Sequence, residues 1–218
     1  QNTDELTQGI EGHSFRVLKK DCLDLPEKIY QRHTVELSNK QRKLYDQLSK
    51  DFVVELEGQH LSAPEAITRL LRLQQIICGW FPTGEGETIA IEDDNPRLSA
   101  LLDTLNDIEC KVIIWARFKR DIKAIGAALG DEAVSYYGEV SNDDRVTAVD
   151  RFQNDPKIRY FIGQPQSGGI GLTLTAAECA IYYSNSFDLE TRLQSEDRCH
   201  RIGTKNNVTY IDFESPKT

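Results

Sequence analysis

The 218-residue chain is 39% hydrophobic and 28% charged, the balance of one globular domain, or a domain with an appendage, and too apolar for disorder. Its 26 basic and 35 acidic residues leave a net charge of −9, so a nucleic-acid partner would need a local basic patch. No apolar run approaches the roughly 18 residues of a membrane span, and no charged-then-apolar leader precedes a cleavage site, so no membrane partner is expected.

Residues 1–94 read as polar and mainly helical, with one extended piece, His33-Thr-Val-Glu-Leu37. Ser38-x-x-Gln41 has the form of a capping box and predicts a helix to about Leu56. Ser62-x-x-Glu65, with Pro64 in the first turn, predicts a second to about Cys78, with Gly79 as its stop and Thr83-Gly-Glu-Gly-Glu87 as a loop. From Asn95 the texture alternates. A helix from Asn95-Pro96 to about Asp107 precedes the apolar run Lys111-Val-Ile-Ile-Trp115. A helix over Phe118 to Leu129 leads to Ala133-Val-Ser-Tyr-Tyr137, and Ser141-x-x-Asp144 caps a helix to about Phe152 before Ile158-Arg-Tyr-Phe-Ile162. Cys179-Ala-Ile-Tyr-Tyr-Ser184, a helix from about Asp188, and Asn207-Val-Thr-Tyr-Ile-Asp-Phe213 complete the chain. Strands alternating with amphipathic helices predict an α/β fold, a parallel sheet covered on both faces.

Five cysteines, Cys22, Cys78, Cys110, Cys179 and Cys199, are odd in number and never spaced C-x-x-C, which argues against disulfides and zinc and for a reducing compartment. A chain that starts at Gln1 and contains no methionine is expected to be a piece of something longer.

In open α/β sheets function collects in loops at the carboxyl ends of strands. After Ile162 comes Gly163-Gln-Pro-Gln-Ser-Gly-Gly-Ile-Gly-Leu-Thr-Leu174, whose glycines let the backbone approach an anion; a tight turn before a helix is the plainer alternative. After Trp115 come Arg117, Lys119, Arg120 and Lys123, either a solvated helix face or contacts to a phosphate backbone. Gln194-Ser-Glu-Asp-Arg-Cys-His-Arg-Ile-Gly203 places Gln194, Arg198 and Arg201 at i, i+4 and i+7, one stripe of a helix carrying two guanidinium forks shaped for phosphate oxygens. An ordinary helix with Arg198 and Arg201 paired to Glu196 or Asp197 is the alternative. Cys199 and His200 between them are read as non-ligands, so no metal site is expected. No G-x-x-x-x-G-K-[ST] loop and no apolar strand ending in Asp-Glu occurs, so the arginines are set for a nucleotide that this chain cannot cradle.

Gly168-Gly-Ile-Gly-Leu-Thr-Leu-Thr-Ala-Ala177 followed by Gln194 to Gly203 resembles motifs V and VI of superfamily 2 helicases, in the branch of the SWI/SNF-type DNA translocases. Leu25-Pro-Glu-Lys28, Val35-Glu-Leu-Ser38, Leu70 to Gly79, Lys111 to Trp115, and Tyr137-Gly138 with Arg145 and Phe152 are similar in order, so the resemblance runs from about Arg16 to Phe213.

The resemblance implies a second, RecA-like motor lobe over 95–218, a helical appendage over 37–94, and an inter-lobe connecting segment with the first strand over 1–36. It implies ATP and Mg2+ held mainly by a missing N-terminal lobe, with none expected on this chain, which alone would be inactive. Arg198 and Arg201 would be arginine fingers, Gln194 would sense nucleotide and Asp197 orient the arginines. Gly168, Gly169 and Gly171 would line the nucleotide cleft. Ser167, Thr173, Arg117 and Arg145 would meet the backbone of double-stranded DNA. An RNA helicase lobe and a non-enzymatic phosphate-recognising module stand as alternatives. Ser184-Asn-Ser-Phe-Asp-Leu189 and Thr204 differ from the branch's usual residues, and a cytoplasmic bacterial or phage protein is expected, or a nuclear one if the source is eukaryotic.

Overall fold

The computed structural model describes residues 9, 22–57, 62–83, 87–167 and 172–218. Strand β1 (Lys28–Thr34) is followed by helices α1 (Asn39–Glu57) and α2 (Ala63–Ile77) and by a hairpin of β2 (Trp80–Pro82) and β3 (Thr88–Ala90). Then come α3 (Pro96–Asn106), β4 (Lys111–Trp115), α4 (Lys119–Leu129), β5 (Ala133–Tyr136), α5 (Asn142–Asn154) and β6 (Tyr160–Gly163). The chain ends with β7 (Ala177–Tyr182), α6 (Leu189–Glu196) and β8 (Val208–Glu214).

Six strands form one sheet in the order β1-β8-β7-β4-β6-β5, and every neighbouring pair is parallel. This is the α/β sheet the alternation predicts. Its centre is apolar on both faces, because β4, β6 and β7 are buried almost end to end. On one face Val112, Ile114, Ile162 and Ile181 pack under Leu101 and Leu105 of α3, Ile122 and Ile125 of α4, and Trp80. On the other, Ile113, Trp115, Phe161 and Tyr182 pack under Ala148 and Phe152 of α5 with Leu172, Leu174 and Cys199.

The helix starts follow local chemistry. At α1 the backbone N–H of Ser38 donates to the Gln41 side chain at 2.9 Å and that of Gln41 to the Ser38 hydroxyl at 3.1 Å, a reciprocal box. At α3 the Asn95 side chain accepts from the N–H of Arg97 at 3.0 Å, with Pro96 in the first turn. At α5 the Ser141 hydroxyl accepts from the Asp144 N–H at 3.2 Å.

Three elements differ from expectation. The first strand forms at Lys28–Thr34 rather than at His33 to Leu37. Its register is set by pairing with β8, Lys28 opposite Val208 through Thr34 opposite Glu214, and an edge strand with Ile29 at 38% and Tyr30 at 57% exposure lacks a clear apolar alternation. The β2–β3 hairpin was not expected; Trp80 is drawn into the core by its indole N–H, which donates to Asp121 at 2.9 Å. Its loop closes through Thr83 N–H to the Glu87 carbonyl at 2.7 Å, residues 84–86 lying outside the described residues. The helix from Asp188 ends early, at Glu196.

Candidate functional site

A parallel sheet brings all its strand ends to one edge. There the backbone N–H of Arg117, after β4, donates to the Ser184 hydroxyl, after β7, at 2.8 Å. The Gln164 amide, after β6, donates to the Arg117 carbonyl at 2.8 Å, and the Ser167 hydroxyl donates back to the Gln164 side chain at 3.2 Å. The Arg117 guanidinium reaches Gln74 of α2 at 2.5 Å, and Gln74 donates to the Asn185 carbonyl at 3.3 Å. Burial holds the Arg117 pKa below its ordinary value. The rest of the basic run is also engaged. Lys119 and Lys123 pair with Glu139 at 3.1 and 2.8 Å, and Arg120 binds the Thr88 carbonyl and hydroxyl.

Gln194, Arg198 and Arg201 do not share a helical stripe. Gln194 lies on α6, exposed, and donates to Glu190 at 2.9 Å. The helix has ended before Arg198 and Arg201, both half-buried, which sit on the turn that follows. The reason is tertiary. The Tyr210 hydroxyl donates to the Glu196 carbonyl at 3.1 Å, the Arg198 carbonyl is turned to the Leu174 N–H at 2.9 Å, and three-residue turns replace the helical pattern at Arg198 and Cys199. Downstream, the Arg201 N–H donates to the Thr204 hydroxyl at 3.1 Å while the Thr204 N–H donates to the Arg201 carbonyl at 2.9 Å. Gly203, at φ 102, takes the left-handed conformation that closes this latch.

The turn is also joined to the segment beyond the glycine loop, for the Arg201 guanidinium donates to the Thr173 hydroxyl at 2.9 Å. Gly168, Gly169 and Gly171 lie outside the described residues. Thr173 and Arg145 line one open cleft of about 590 Å³ with Tyr136, Val149, Gln153 and Leu172. Arg145 lies 5.6 Å over the Tyr136 ring and donates to the Tyr137 carbonyl at 3.0 Å. The structure thus brings Arg201 to Thr173 and Thr173 to Arg145, and places Arg117 and Ser167 together at the strand ends.

Glu196 pairs with neither Arg198 nor Arg201. Its carboxylate, 3% exposed, is held by Lys28 at 3.0 Å and Arg192 at 2.9 Å, and accepts from the Tyr30 hydroxyl at 2.8 Å. Asp197 lies 3.8 Å from Lys28. Arg192 also binds both Asp212 oxygens and lies 3.4 Å over the Tyr182 ring. Burial opposes its charge most strongly, but Asp212, Tyr182 and Glu196 together outweigh it and raise its pKa. The His200 ring bonds the Pro26 carbonyl at 2.7 Å. Sequence reading missed Lys28, Tyr30, Arg192 and Asp212. The i, i+4 spacing of Arg192 and Glu196 was a usable signal; nothing local links residue 28 to residue 196.

The conserved C-terminal domain of helicases matches residues 96–203, which contain the strand-end loops, the cleft and the arginine turn. Helicase SWR1 of Candida glabrata is 32% identical over 125 residues, 56% of this chain and 9% of that protein. Among solved structures, the C-terminal part of the Fun30 ATPase domain superposes with a TM-score of 0.69 at 19% identity, covering 88% of this chain and 86% of that one. The chain belongs to the SWI/SNF-type superfamily 2 helicases, as their C-terminal lobe. The Sulfolobus solfataricus SWI2/SNF2 ATPase core, solved in complex with double-stranded DNA, gives a TM-score of 0.69 at 23% identity over 97% of this chain and 47% of that one. The six-stranded sheet is accordingly the RecA-like fold of such lobes. This SWI/SNF-type lobe spans less than a tenth of the yeast helicase. The yeast relative lends no support to a bacterial or phage origin. No helix among the described residues is long and apolar enough to cross a membrane.

Proposed function

We propose that this lobe is the closing half of an ATP-dependent motor that moves along double-stranded DNA. An N-terminal RecA-like lobe of the same polypeptide holds ATP and Mg2+, and Arg198 and Arg201 meet the nucleotide when the lobes close. The observation that carries the reading is the anchoring of the arginine turn, with Arg201 on Thr173 and the Arg198 backbone on Leu174, next to the glycine loop.

The donor set fits a polyphosphate. Two guanidiniums on one pinned turn offer charged N–H forks to anionic oxygens, and a pinned turn loses little entropy on binding. ATP supplies the phosphoanhydride bond whose breakage builds negative charge. Arg198 and Arg201 stabilise that charge, Gln194 reads the bound nucleotide, and Asp197 orients the arginines. Gly168, Gly169 and Gly171 let the backbone line the cleft. No group of three or more acidic, histidine or cysteine side chains among the described residues is placed to hold a metal ion.

Ser167, Thr173, Arg117 and Arg145 supply contacts to the DNA backbone. Thr173 would then join DNA and nucleotide, since its hydroxyl already accepts from Arg201. A net charge of −9 keeps this contact local. The pairs of Lys119 and Lys123 with Glu139 are exposed and screened by solvent, so a phosphate can displace them. The DNA-bound Sulfolobus core supports duplex DNA as the track.

The test is Arg201→Ala in the protein carrying both lobes. Hydrolysis should fall by on the order of a thousandfold, with ATP affinity changed less than about threefold because the finger acts in the transition state. Lost ATP binding, or retained turnover, would remove Arg201 from the finger role.

A further inference from the structure

The arginine turn is held by the opposite end of the chain. Lys28 and Tyr30 lie two residues apart on β1 and so share a face of the strand. Both reach the Glu196 carboxylate, at 3.0 and 2.8 Å. The Tyr30 ring stacks on Tyr210 at 5.3 Å, and Tyr210 donates to the Glu196 carbonyl. The edge strand therefore holds the carboxylate, and its neighbour β8 the carbonyl, of the residue that closes α6. A second tie lies four residues on, where the His200 ring bonds the Pro26 carbonyl at 2.7 Å. Arg198 lies between these ties and Arg201 immediately after them.

We infer that Lys28 and Tyr30 are positioning residues for the arginine turn, setting Arg198 and Arg201 from the edge strand through Glu196. The inference rests on the finger role proposed above. A carboxylate at 3% exposure must be paired or hydrogen-bonded. Of its two cations, Arg192 is already bound to both oxygens of Asp212 and stacked on Tyr182, so it cannot move to replace Lys28. Lys28 also stands 3.8 Å from Asp197. Without it, the Glu196 carboxylate keeps Arg192 on one oxygen but loses the cation on the other, and the last turn of α6 shifts to restore a partner there. Burial, then the bond to Glu196, pushes the Tyr30 hydroxyl up to about 12, so it stays a donor at neutral pH. A misplacement of about 1 Å at such a site can cost up to roughly a hundredfold in rate without loss of binding.

The experiment measures duplex-stimulated ATP hydrolysis by the protein carrying both lobes, with melting temperatures alongside. For Lys28→Met, kcat should fall about tenfold or more with KM for ATP within about twofold. Lys28→Met combined with Glu196→Gln should recover most of that loss, since the double variant removes the charge that Lys28 neutralises. Unchanged kcat in Lys28→Met, a raised KM at unchanged kcat, or a folded double variant as slow as the single one would overturn the inference. Should Lys28→Met fail to fold, Tyr30→Phe keeps the ring and removes only the hydroxyl. It should lower kcat about threefold or more, and wild-type turnover in that variant would overturn the inference equally. Arg201→Ala in the same assay separates the two claims. Retained hydrolysis there defeats the finger role, whereas its loss beside normal turnover in Lys28→Met defeats only the role of the strand.

Discussion

Asp121 sits at 3% exposure under Trp80, whose indole N–H donates to its carboxylate at 2.9 Å, with the Ser184 hydroxyl 3.5 Å away. Burial pushes its pKa up to about 6, although these hydrogen bonds pull it down. A carboxyl whose folded pKa is raised contributes its stability while protonated. That contribution is complete below about pH 4, falls as the pH rises to about 6, and is absent above it. Asp121→Asn keeps an acceptor for Trp80 and cannot ionise. Its stability relative to wild type, followed through melting temperatures, should therefore rise between about pH 4 and 6 and then level, by on the order of a few kcal/mol in all. A difference that does not vary with pH would mean that Asp121 does not titrate there. Nothing in the sequence marks Asp121, one acid among 35; only packing of the hairpin tryptophan over α4 makes it unusual. Arg201, by contrast, stood out in the sequence as a candidate, because two arginines three apart follow a glycine-rich loop in the chain.

Gly79 shows how one position can hold two elements. It has φ +91, and a Cβ there would lie 2.5 Å from the Asn95 amide nitrogen. That amide cannot give way cheaply, since it donates to the Cys78 carbonyl at 2.7 Å while its oxygen caps α3. Gly79→Ala should therefore lower stability by about 2 kcal/mol or more, through strain and the lost cap together, read as a lower denaturant midpoint at unchanged slope. The two capping boxes and the Asn95-Pro96 start were readable from residues three or fewer apart. The early end of α6 was not, because it depends on a hydroxyl from β8 and a backbone N–H from Leu174.

At the scale of the molecule, the proposed function assigns half of the site to another lobe. The chain alone should show no ATP turnover above background, and turnover that survives purification and is lost in Arg201→Ala would contradict the two-lobe arrangement. The two-lobe protein should be stimulated by duplex DNA more than by RNA; the reverse order would favour an RNA helicase. The sheet order places β1, the first strand among the described residues, beside β8, the last. Residues at the start of the chain thereby reach a turn near residue 200, and a motion of that segment can act on the arginines without crossing the core.

The sequence by itself determined the α/β class, the positions of the central strands, the helix starts and the residues of the arginine motif. Each of these follows from local periodicity, capping chemistry or composition within a few residues. Tertiary structure alone decided that β1 is an edge strand, that Trp80 buries Asp121, that Arg198 and Arg201 stand on a turn instead of a helical stripe, and that Lys28 and Tyr30 hold Glu196. Those outcomes depend on contacts between residues far apart in sequence, where hydrogen bonds to buried groups override the helix that local propensity would continue.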